Sequence, residues 1–340
     1  MEKKRPTRFM AHALASGMVL ALAMSALAGC GPKAAPPLPA DRDRVFLFSY
    51  FKDGERKDGR KIAGGAGLYL AWSADGFEFH PVGKGHVWRP ALSPMMRDPF
   101  IARGPDGVFH MVWTTGWNEK SIGHAVSDDL IHWRDEALIP VMANEPTAIN
   151  TWAPEIFYDD RAGRFLIYWS STIPGRFPET QGAGDGAYDH RVYYTTTPDW
   201  MTFAPAKLLL EPGRSCIDAD IIKWREQYAM IVKIETLKPP AKWLVVTTAD
   251  SPEGPWGPVS GPITRPGDWS EGPSAIVVDG AARVYFDRYV ARKYAAVTST
   301  DLKTWTYVEG LRIPRGARHG NIILLEAPLV VGLIEEMASR

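Results

Sequence analysis

The chain has 340 residues, 39 Lys and Arg balanced by 39 Asp and Glu, and enough hydrophobic residues (45%) to build a large core. The balanced charge argues against a nucleic-acid partner or an anionic binding surface, and no feature implies a protein partner. The length allows one large domain or two of ordinary size. Segments rich in β-branched and aromatic residues, separated by 31 Gly and 28 Pro, predict an all-β fold.

The first 44 residues are predicted to lie outside the folded domain. A basic stretch precedes an apolar segment that is short for a membrane span, and Leu27-Ala28-Gly29-Cys30 resembles the bacterial lipoprotein signal. Residues 1–30 are therefore predicted to be a signal peptide and Cys30 a lipidation site, in an exported, membrane-anchored protein of the periplasm or cell surface. An ordinary secretory signal with an incidental Cys is the alternative. The Pro- and Ala-rich residues 31–44 are predicted to form a tether, and Cys216, the only other cysteine, leaves no intrachain disulfide.

A turn motif recurs five times and predicts the architecture. Each copy has a small or acidic residue, then Asp or Pro-Glu, then an aromatic, which is typical of a capped tight turn leading into an edge strand. The copies begin at Ser73, Ser127, Thr197, Asp250 and Ser299. The intervals of 54, 70, 53 and 49 residues suit one four-stranded propeller blade each. Residues 45–340 are therefore predicted to form a five-bladed β-propeller.

The predicted strands also indicate how the ring closes. The second repeat supplies four strands, but the first supplies only three, Val45–Phe51, Gly67–Trp72 and Phe77–Val82. The missing innermost strand is predicted to be Gly320–Glu326, so that strands from both termini close the ring. No amphipathic helix stands out before the final segment, Leu333–Arg340.

The long third interval contains a Gly- and Pro-rich insertion, Ile173–His190. It is predicted to be a loop on one face of the propeller, and either a functional loop or tolerated surface. Its Asp185, Asp189 and His190 are interpreted as solvated loop charges.

An ionisable residue stands at or near the start of each predicted innermost strand. These residues are Asp98, Glu155, Asp218, Glu271 and His319. Because the innermost strands of a propeller run in the same sense along its axis, the five side chains are expected to face one mouth of the channel. Glycoside hydrolysis needs one protonated and one ionised carboxyl group, and crowded acids separate the two pKa values.

The ordered set of motifs resembles glycoside hydrolase family 43, the five-bladed propeller arabinofuranosidases and xylosidases. The motifs are Arg97-Asp98-Pro99, Trp152-Ala153-Pro154-Glu155, Ile217-Asp218-Ala219, Glu271-Gly272-Pro273 and Arg318-His319-Gly320. The resemblance implies that Asp98 is the general base, Glu271 the general acid and Asp218 the carboxylate that raises the pKa of the acid. It also implies inversion, with the base and the acid about 6.5–9.5 Å apart. Glu155 departs from the Asp that is common in the family.

Further side chains near these motifs are candidates for binding the sugar. Trp117, Trp152 and Trp269 are predicted to stack on it, with packing between blades as the alternative. Hydrogen bonds to sugar hydroxyls are predicted for Arg97, Asn150, Arg288 and Tyr289, with a salt-bridge or surface role as the alternative. Glu155 and His319 are also predicted to bind the substrate. No cofactor and no dedicated metal site are predicted, although a central Ca or Na ion near His319 is left open.

The sequence therefore predicts an inverting, exo-acting glycosidase that releases arabinofuranosyl or related pentosyl units from plant polysaccharides or oligosaccharides. Two alternatives stay open. One is a β-xylosidase or galactosidase of the same family, and the other is a glycan-binding propeller without activity. A complete set of proton donor, acceptor and tuning carboxylate favours an enzyme.

Overall fold

The computed structural model describes residues 43–54, 56–57, 60–61, 67–186 and 188–340, and these form a ring of β-sheets. The predicted signal peptide, with Cys30, and most of the predicted tether lie outside the described residues. Among the helices of the described part, none has the length and apolar character needed to cross a membrane.

The chain contributes 23 short or medium strands and one helix to this part of the molecule. In chain order they are β1 (Arg44–Lys52), β2 (Arg56–Lys57), β3 (Arg60–Lys61), β4 (Tyr69–Ser73), β5 (His80–Pro81), β6 (Arg97–Arg103), β7 (Phe109–Thr114), β8 (Ile122–Ser127), β9 (Trp133–Ile139), β10 (Trp152–Asp159), β11 (Arg164–Thr172), β12 (His190–Thr197), β13 (Lys207–Leu210), β14 (Cys216–Trp224), β15 (Gln227–Ile234), β16 (Thr236–Leu237), β17 (Pro240–Ala241), β18 (Leu244–Ala249), β19 (Glu271–Val278), β20 (Ala281–Arg288), β21 (Lys293–Ser299), β22 (Thr306–Tyr307), β23 (Ala317–Glu326) and α1 (Ala327–Ser339).

Five antiparallel sheets form the blades, and the prediction of a five-bladed propeller is confirmed. From the inside outwards, blade I is β23-β1-β4-β5, blade II is β6 to β9, blade III is β10 to β13, blade IV is β14-β15-β18 and blade V is β19 to β22. Blade IV has three regular strands. Its outer edge is covered by an irregular segment in which the amides of Ser260 and Ile263 donate to the carbonyls of Val246 and Leu244.

The ring closes through blade I, where the last strand of the chain pairs with the first. Strand β23 lies antiparallel to β1 from Arg44 opposite Glu326 to Lys52 opposite Ala317. The predicted closing strand is therefore correct, although it begins three residues earlier, at Ala317. The five innermost strands contact one another in the circular order β6, β10, β14, β19, β23 and back to β6.

The recurrent motif forms the same capped turn in four blades. In blade I the Ser73 hydroxyl accepts the Gly76 amide at 2.9 Å, and the Asp75 carboxylate accepts the Phe77 and Glu78 amides at 2.8 and 3.1 Å. The same bonds are made by Ser127 with Asp129, by Thr197 with Asp199 and by Ser299 with Asp301. Because the turn is local in sequence, its copies could be recognised without the fold.

Hydrophobic side chains fill the space between every pair of adjacent blades. The five clusters of buried residues lie between blades I and II, II and III, III and IV, IV and V, and V and I. The ring of Trp113 is fully buried in the first cluster. A Cβ atom at Gly123 would lie 1.9 Å from that ring, so only glycine fits opposite it.

The helix extends further than the sequence indicated. It was expected only within Leu333–Arg340, but α1 begins at Ala327, and Pro328 lies in its first turn, where no intrahelical amide bond is lost. Val330 and Leu333 are buried against the cluster shared by blades I and II. The helix therefore covers the blade that closes the ring.

Asn321 in β23 joins blade I to blade II. Its Oδ1 accepts the Ile101 amide at 2.9 Å and the Ser49 hydroxyl at 2.6 Å, and its Nδ2 donates to the Ile101 carbonyl at 2.9 Å. All of these groups are buried. The Asn321 side chain thus satisfies the backbone amide and carbonyl of Ile101 in the neighbouring blade.

Asn321→Ala is expected to lower the free energy of unfolding by about 2–4 kcal/mol. The reason is that the buried amide and carbonyl of Ile101 lose their partner, at about 1–3 kcal/mol for each unsatisfied group. Urea denaturation measures the change. Asn144→Ala, at an exposed position, is the control and is expected to stay within about 0.5 kcal/mol of the original chain. Equal stability of the two variants would contradict the bridging role.

Candidate active site

The innermost strands carry an irregularity at their starts, where they reach the mouth of the channel. The pairing register shifts after Arg97, Trp152, Ile217 and Glu271, and in β23 it shifts around His319. Positive φ angles follow at these bulges, of 52° at Asp98, 46° at Ala153, 54° at Asp218 and 56° at Gly272. Bulges of this kind redirect side chains and are frequent next to active sites.

The bulges bring the three predicted catalytic carboxyl groups to one pocket of about 200 Å³. Asp98, Asp218 and Glu271 line it together with His319. The His319 Nδ1 atom lies 3.4 Å from Asp98 Oδ1 and 3.9 Å from Asp218 Oδ2. Gly272 lies against this imidazole, and a Cβ atom there would be 2.4 Å from the ring, which explains the glycine after Glu271.

The two aspartates are held differently. The Thr114 hydroxyl donates to Asp98 Oδ2 at 2.8 Å, whereas the Gly272 amide donates to Asp218 Oδ2 at 3.0 Å. Burial raises the pKa of Asp98, but the hydrogen bond and the charge of His319 outweigh it and bring that pKa below its ordinary value. Burial raises the pKa of Asp218 to about 6 despite the charges of His319 and Lys233. Asp98 is therefore ionised more completely than Asp218 at neutral pH.

His319 stands between these carboxylates as a cation. Its burial lowers the imidazole pKa, but the charge of Asp218 and the hydrogen bond to Asp98 outweigh that effect and raise the pKa to about 9. Each aspartate thus faces a positive charge at neutral pH. Among the described residues, no group of three or more His, Cys, Asp or Glu is arranged to hold a metal ion. An ion near His319 stays a prediction.

Glu271 lines the same pocket and lies between two cations. Lys233 Nζ lies 3.2 Å from its Oε2, and Arg318 Nη2 lies 3.3 Å from its Oε1. Arg318 also lies 2.9 Å from Asp287 Oδ2, and burial raises the pKa of Asp287 to about 7. Each cation lies beside a different oxygen of Glu271, and together they orient its carboxyl group.

Aromatic side chains and Arg97 form the rim. Trp117 is 45% exposed, and its backbone carbonyl accepts the Trp152 Nε1–H at 3.0 Å. The Arg97 guanidinium lies 4.9 Å from the centre of the Trp117 ring and pairs with Asp53 at 3.2 Å. Three of the residues predicted to bind the sugar line the pocket, namely Arg97, Trp117 and Trp152. One exposed indole face beside a sugar-sized pocket can stack on an apolar sugar face.

These features match a known protein family. The sequence model of a family described as a probable glycosyl hydrolase domain, related to glycoside hydrolase family 43, matches residues 41–328. The chain belongs to this family. The resemblance to family 43 that the strand-start motifs indicated is therefore confirmed.

Individual relatives are distant. An α-L-arabinofuranosidase of Bifidobacterium longum subsp. longum is 25% identical over 164 residues, which are 41% of this chain and 15% of the relative. The chain thus spans about a sixth of the length of that curated relative. An α-L-arabinofuranosidase of Clostridium thermocellum has a similar structure, with a TM-score of 0.59 and 17% identity, over 78% of this chain and 90% of the other. A Hadza microbial sialidase matches with a TM-score of 0.52 and 12% identity, over 82% and 73%. These two structures show the fold alone.

Two of the residues predicted to bind the sugar, Asn150 and Glu155, do not line the pocket. Asn150 is fully buried. Its Oδ1 accepts the Thr172 amide at 2.9 Å and its Nδ2 donates to the Ser170 carbonyl at 3.4 Å, so the side chain does not face the pocket. Glu155 is also buried. It lies two residues beyond Ala153, the bulge residue of its strand, and accepts the Tyr168 hydroxyl at 3.0 Å inside the channel.

Burial and the charge of Asp220 raise the pKa of Glu155 well above its ordinary value. Asp220 lies in β14, two residues after Asp218 and outside the pocket lining, and burial raises the pKa of Asp220 to about 7. This second pair of carboxyl groups is therefore separate from the three at the mouth.

Trp269 and Arg288 lie outside the pocket lining. Trp269 is half-buried 6.0 Å from the Tyr289 ring, and Arg288 pairs with Asp268 at 2.5 Å. Tyr289 does line the pocket, as predicted. The structure therefore does not place Trp269 or Arg288 where they were predicted to bind the sugar.

Several lining residues were missed or misread. Lys233, Glu235 and Thr114 line the pocket, and so does Asp185, which the sequence suggested was a solvated loop charge. A signal for Lys233 was present, because it interrupts the otherwise apolar, continuously buried run of β15. No local signal marked Asp185, since it lies far from the strand starts in sequence.

The NMR resonance of His319 is expected to titrate near pH 9 rather than near 6.5, because both aspartates favour the imidazolium. Its folded-state pKa is raised, so His319 stabilises the fold fully below about pH 6.5 and loses that contribution as the pH rises through 9. A histidine-labelled sample identifies the resonance as the one absent from His319→Asn. Titration near pH 6.5 would contradict the proximity of the two carboxylates.

Proposed function

We propose that the protein is an inverting, exo-acting glycoside hydrolase that releases arabinofuranosyl or related pentosyl units from plant polysaccharides or oligosaccharides. The observation that carries the proposal is the meeting of Asp98, Asp218 and Glu271 in one pocket with unequal surroundings. Unequal surroundings are what separates a carboxylate that accepts a proton from a carboxyl group that donates one.

The three carboxyl groups take different roles in this mechanism. Asp98, whose pKa is lowered, is the base that removes a proton from the attacking water. Glu271 is the acid that protonates the leaving oxygen, and Asp218 adds negative charge that favours the protonated acid. Lys233 and Arg318 hold the Glu271 carboxyl group in position through its two oxygens.

The small size of the pocket supports exo action. Its volume of about 200 Å³ lies below the 300–1,000 Å³ of most small-molecule sites, and a single sugar unit suits it better than a chain. Inversion requires about 6.5–9.5 Å between base and acid, which leaves room for water. The preference for arabinofuranosyl units is supported by the matched relative from B. longum, which is named an α-L-arabinofuranosidase.

A panel of 4-nitrophenyl arabinofuranoside, xyloside and galactoside tests the substrate. The arabinofuranoside is expected to give the highest kcat/KM, and the released sugar is expected to have the inverted anomeric configuration by NMR. A higher kcat/KM for the xyloside or galactoside would contradict the preference for arabinofuranosyl units and indicate that the other sugar is the substrate. Tight binding of an oligosaccharide without any product, measured by calorimetry, would replace the enzyme with a glycan-binding propeller.

Glu271→Gln is expected to lower kcat about 10²–10⁴-fold on the 4-nitrophenyl glycoside, since general acid catalysis contributes that much. The loss should be smaller on the 2,4-dinitrophenyl glycoside, whose leaving group needs little protonation. Asp98→Asn should lose activity on both substrates, because the base acts on water.

Glu309→Gln is the control, because Glu309 is exposed and far in sequence from the site motifs. Thermal unfolding checks that each variant is folded. If folded Glu271→Gln and Asp98→Asn keep the activity of the original chain, the assignment of acid and base is wrong.

We also propose that Cys30 carries a lipid that anchors the exported protein to a membrane, on the basis of the Leu27-Ala28-Gly29-Cys30 motif. Expression in bacteria with radiolabelled palmitate is expected to label the protein and to place it in the membrane fraction. Cys30→Ser should abolish the labelling. Equal labelling of the two proteins would rule out this anchor.

A further inference from the structure

The insertion between β11 and β12, residues 173–189, reaches the active-site pocket. Asp185 lines that pocket although it is remote in sequence from all the strand starts. The Ala183 carbonyl accepts the Leu237 amide at 2.6 Å, so the insertion is also attached to the β16 strand. At its other end Tyr188 lies 4.6 Å from the Trp152 ring. The insertion thus forms part of the pocket wall.

A buried lysine holds the inner end of the insertion. Lys242 has a fully buried side chain, and its Nζ pairs with Asp185 Oδ2 at 2.5 Å and with Glu235 Oε1. A buried ammonium group loses its hydration and needs opposite charges close by. The insertion supplies one of these charges through Asp185, whose side chain is about half exposed (52%).

The ion pairs continue from this lysine to the proposed acid. Glu235 Oε2 lies 2.6 Å from Lys233 Nζ, and the same ammonium lies 3.2 Å from Glu271 Oε2. Lys233 is 2% exposed, and Glu235 is 7% exposed. The side chains alternate in charge along the series Asp185, Lys242, Glu235, Lys233, Glu271, which we call the ion-pair chain.

The ion-pair chain couples position at its two ends. Each buried ammonium is shared by two carboxylates, so displacement of Asp185 leaves Lys242 dependent on Glu235 alone. Glu235 is then drawn towards Lys242 and away from Lys233. The weaker pairing with Glu235 changes the position of Lys233 relative to Glu271. Interactions within one network of this kind are not independent of each other.

We propose that Asp185 docks the insertion onto the pocket through Lys242 and is a specificity-determining residue of the enzyme, with Lys242, Glu235 and Lys233 as positioning residues for Glu271. This rests on the proposed function, because it names the wall that recognises the terminal sugar. A released insertion opens the pocket on one side, so sugars of different size are then distinguished less well.

The kinetic experiment compares Asp185→Asn, Asp185→Glu and Lys242→Met with a control, Glu179→Gln. Glu179 is an exposed acid of the same insertion that does not line the pocket. Asp185→Asn is expected to raise KM about tenfold on the preferred aryl glycoside, to lower kcat by a smaller factor and to narrow the ratio of kcat/KM between arabinofuranoside and xyloside. Asp185→Glu is expected to restore most of the loss, and Glu179→Gln to change nothing.

Lys242→Met separates docking from a direct contact with the sugar, because Lys242 does not line the pocket. Docking predicts the same rise in KM as in Asp185→Asn, and a double variant no worse than either single one. If Asp185→Asn raises KM while folded Lys242→Met leaves it unchanged, Asp185 acts by touching the sugar and the docking proposal fails. Lys242→Gln, which removes the charge but keeps a polar side chain, replaces Lys242→Met if that variant does not fold, and docking predicts the same rise in KM for it.

Hydrogen–deuterium exchange tests the docking without any activity. The amides of residues 173–189 are expected to exchange at least tenfold faster in Asp185→Asn than in the original chain, and Glu179→Gln is expected to match the original. Unchanged exchange in Asp185→Asn would overturn the proposal. Protection that is lost in Asp185→Asn, in a protein that hydrolyses no glycoside, would keep the docked insertion and reject the proposed function.

Discussion

Charged side chains crowd the mouth of a β-propeller channel, where burial makes each one depend on an opposite charge. Asp98 and Asp218 face His319, while Glu271 faces Lys233 and Arg318. A charge removed from water without a partner is strongly unfavourable, so the positions of these groups are mutually determined. The protonation states and the proposed chemistry therefore depend on where the innermost strands place these side chains.

The strands deliver them through bulges rather than through regular pairing. A regular strand alternates its side chains, and an extra residue at the start re-aims one of them into the mouth. Asp98 and Asp218 adopt positive φ angles there, which aspartate tolerates better than most residues. The ring must also be closed for the bulges to face one another, and the pairing of β1 with β23 provides that closure.

Prediction from the sequence succeeded where the signal was local and failed where it was not. The capped turns, such as Ser127 with Asp129, depend on residues two or three apart, so the number of blades could be counted. Glu155 was misplaced because the register past a bulge decides which way a side chain points. Asn150 was misplaced because its side chain bonds the backbone of β11 instead of facing the pocket. Asp185 was misread because its partner, Lys242, lies 57 residues further along the chain.

The sequence by itself determined the five blades, the closing strand and the carboxyl groups that begin the innermost strands, since each of these is written in short-range patterns of turns and alternation. Only the tertiary structure decided which side chains share the pocket. That choice depends on the bulge geometry at Asp98, Asp218 and Gly272 and on the pairing of buried charges from distant segments, such as Lys233 with Glu271. Burial in a closed ring, rather than local propensity, sets their charges.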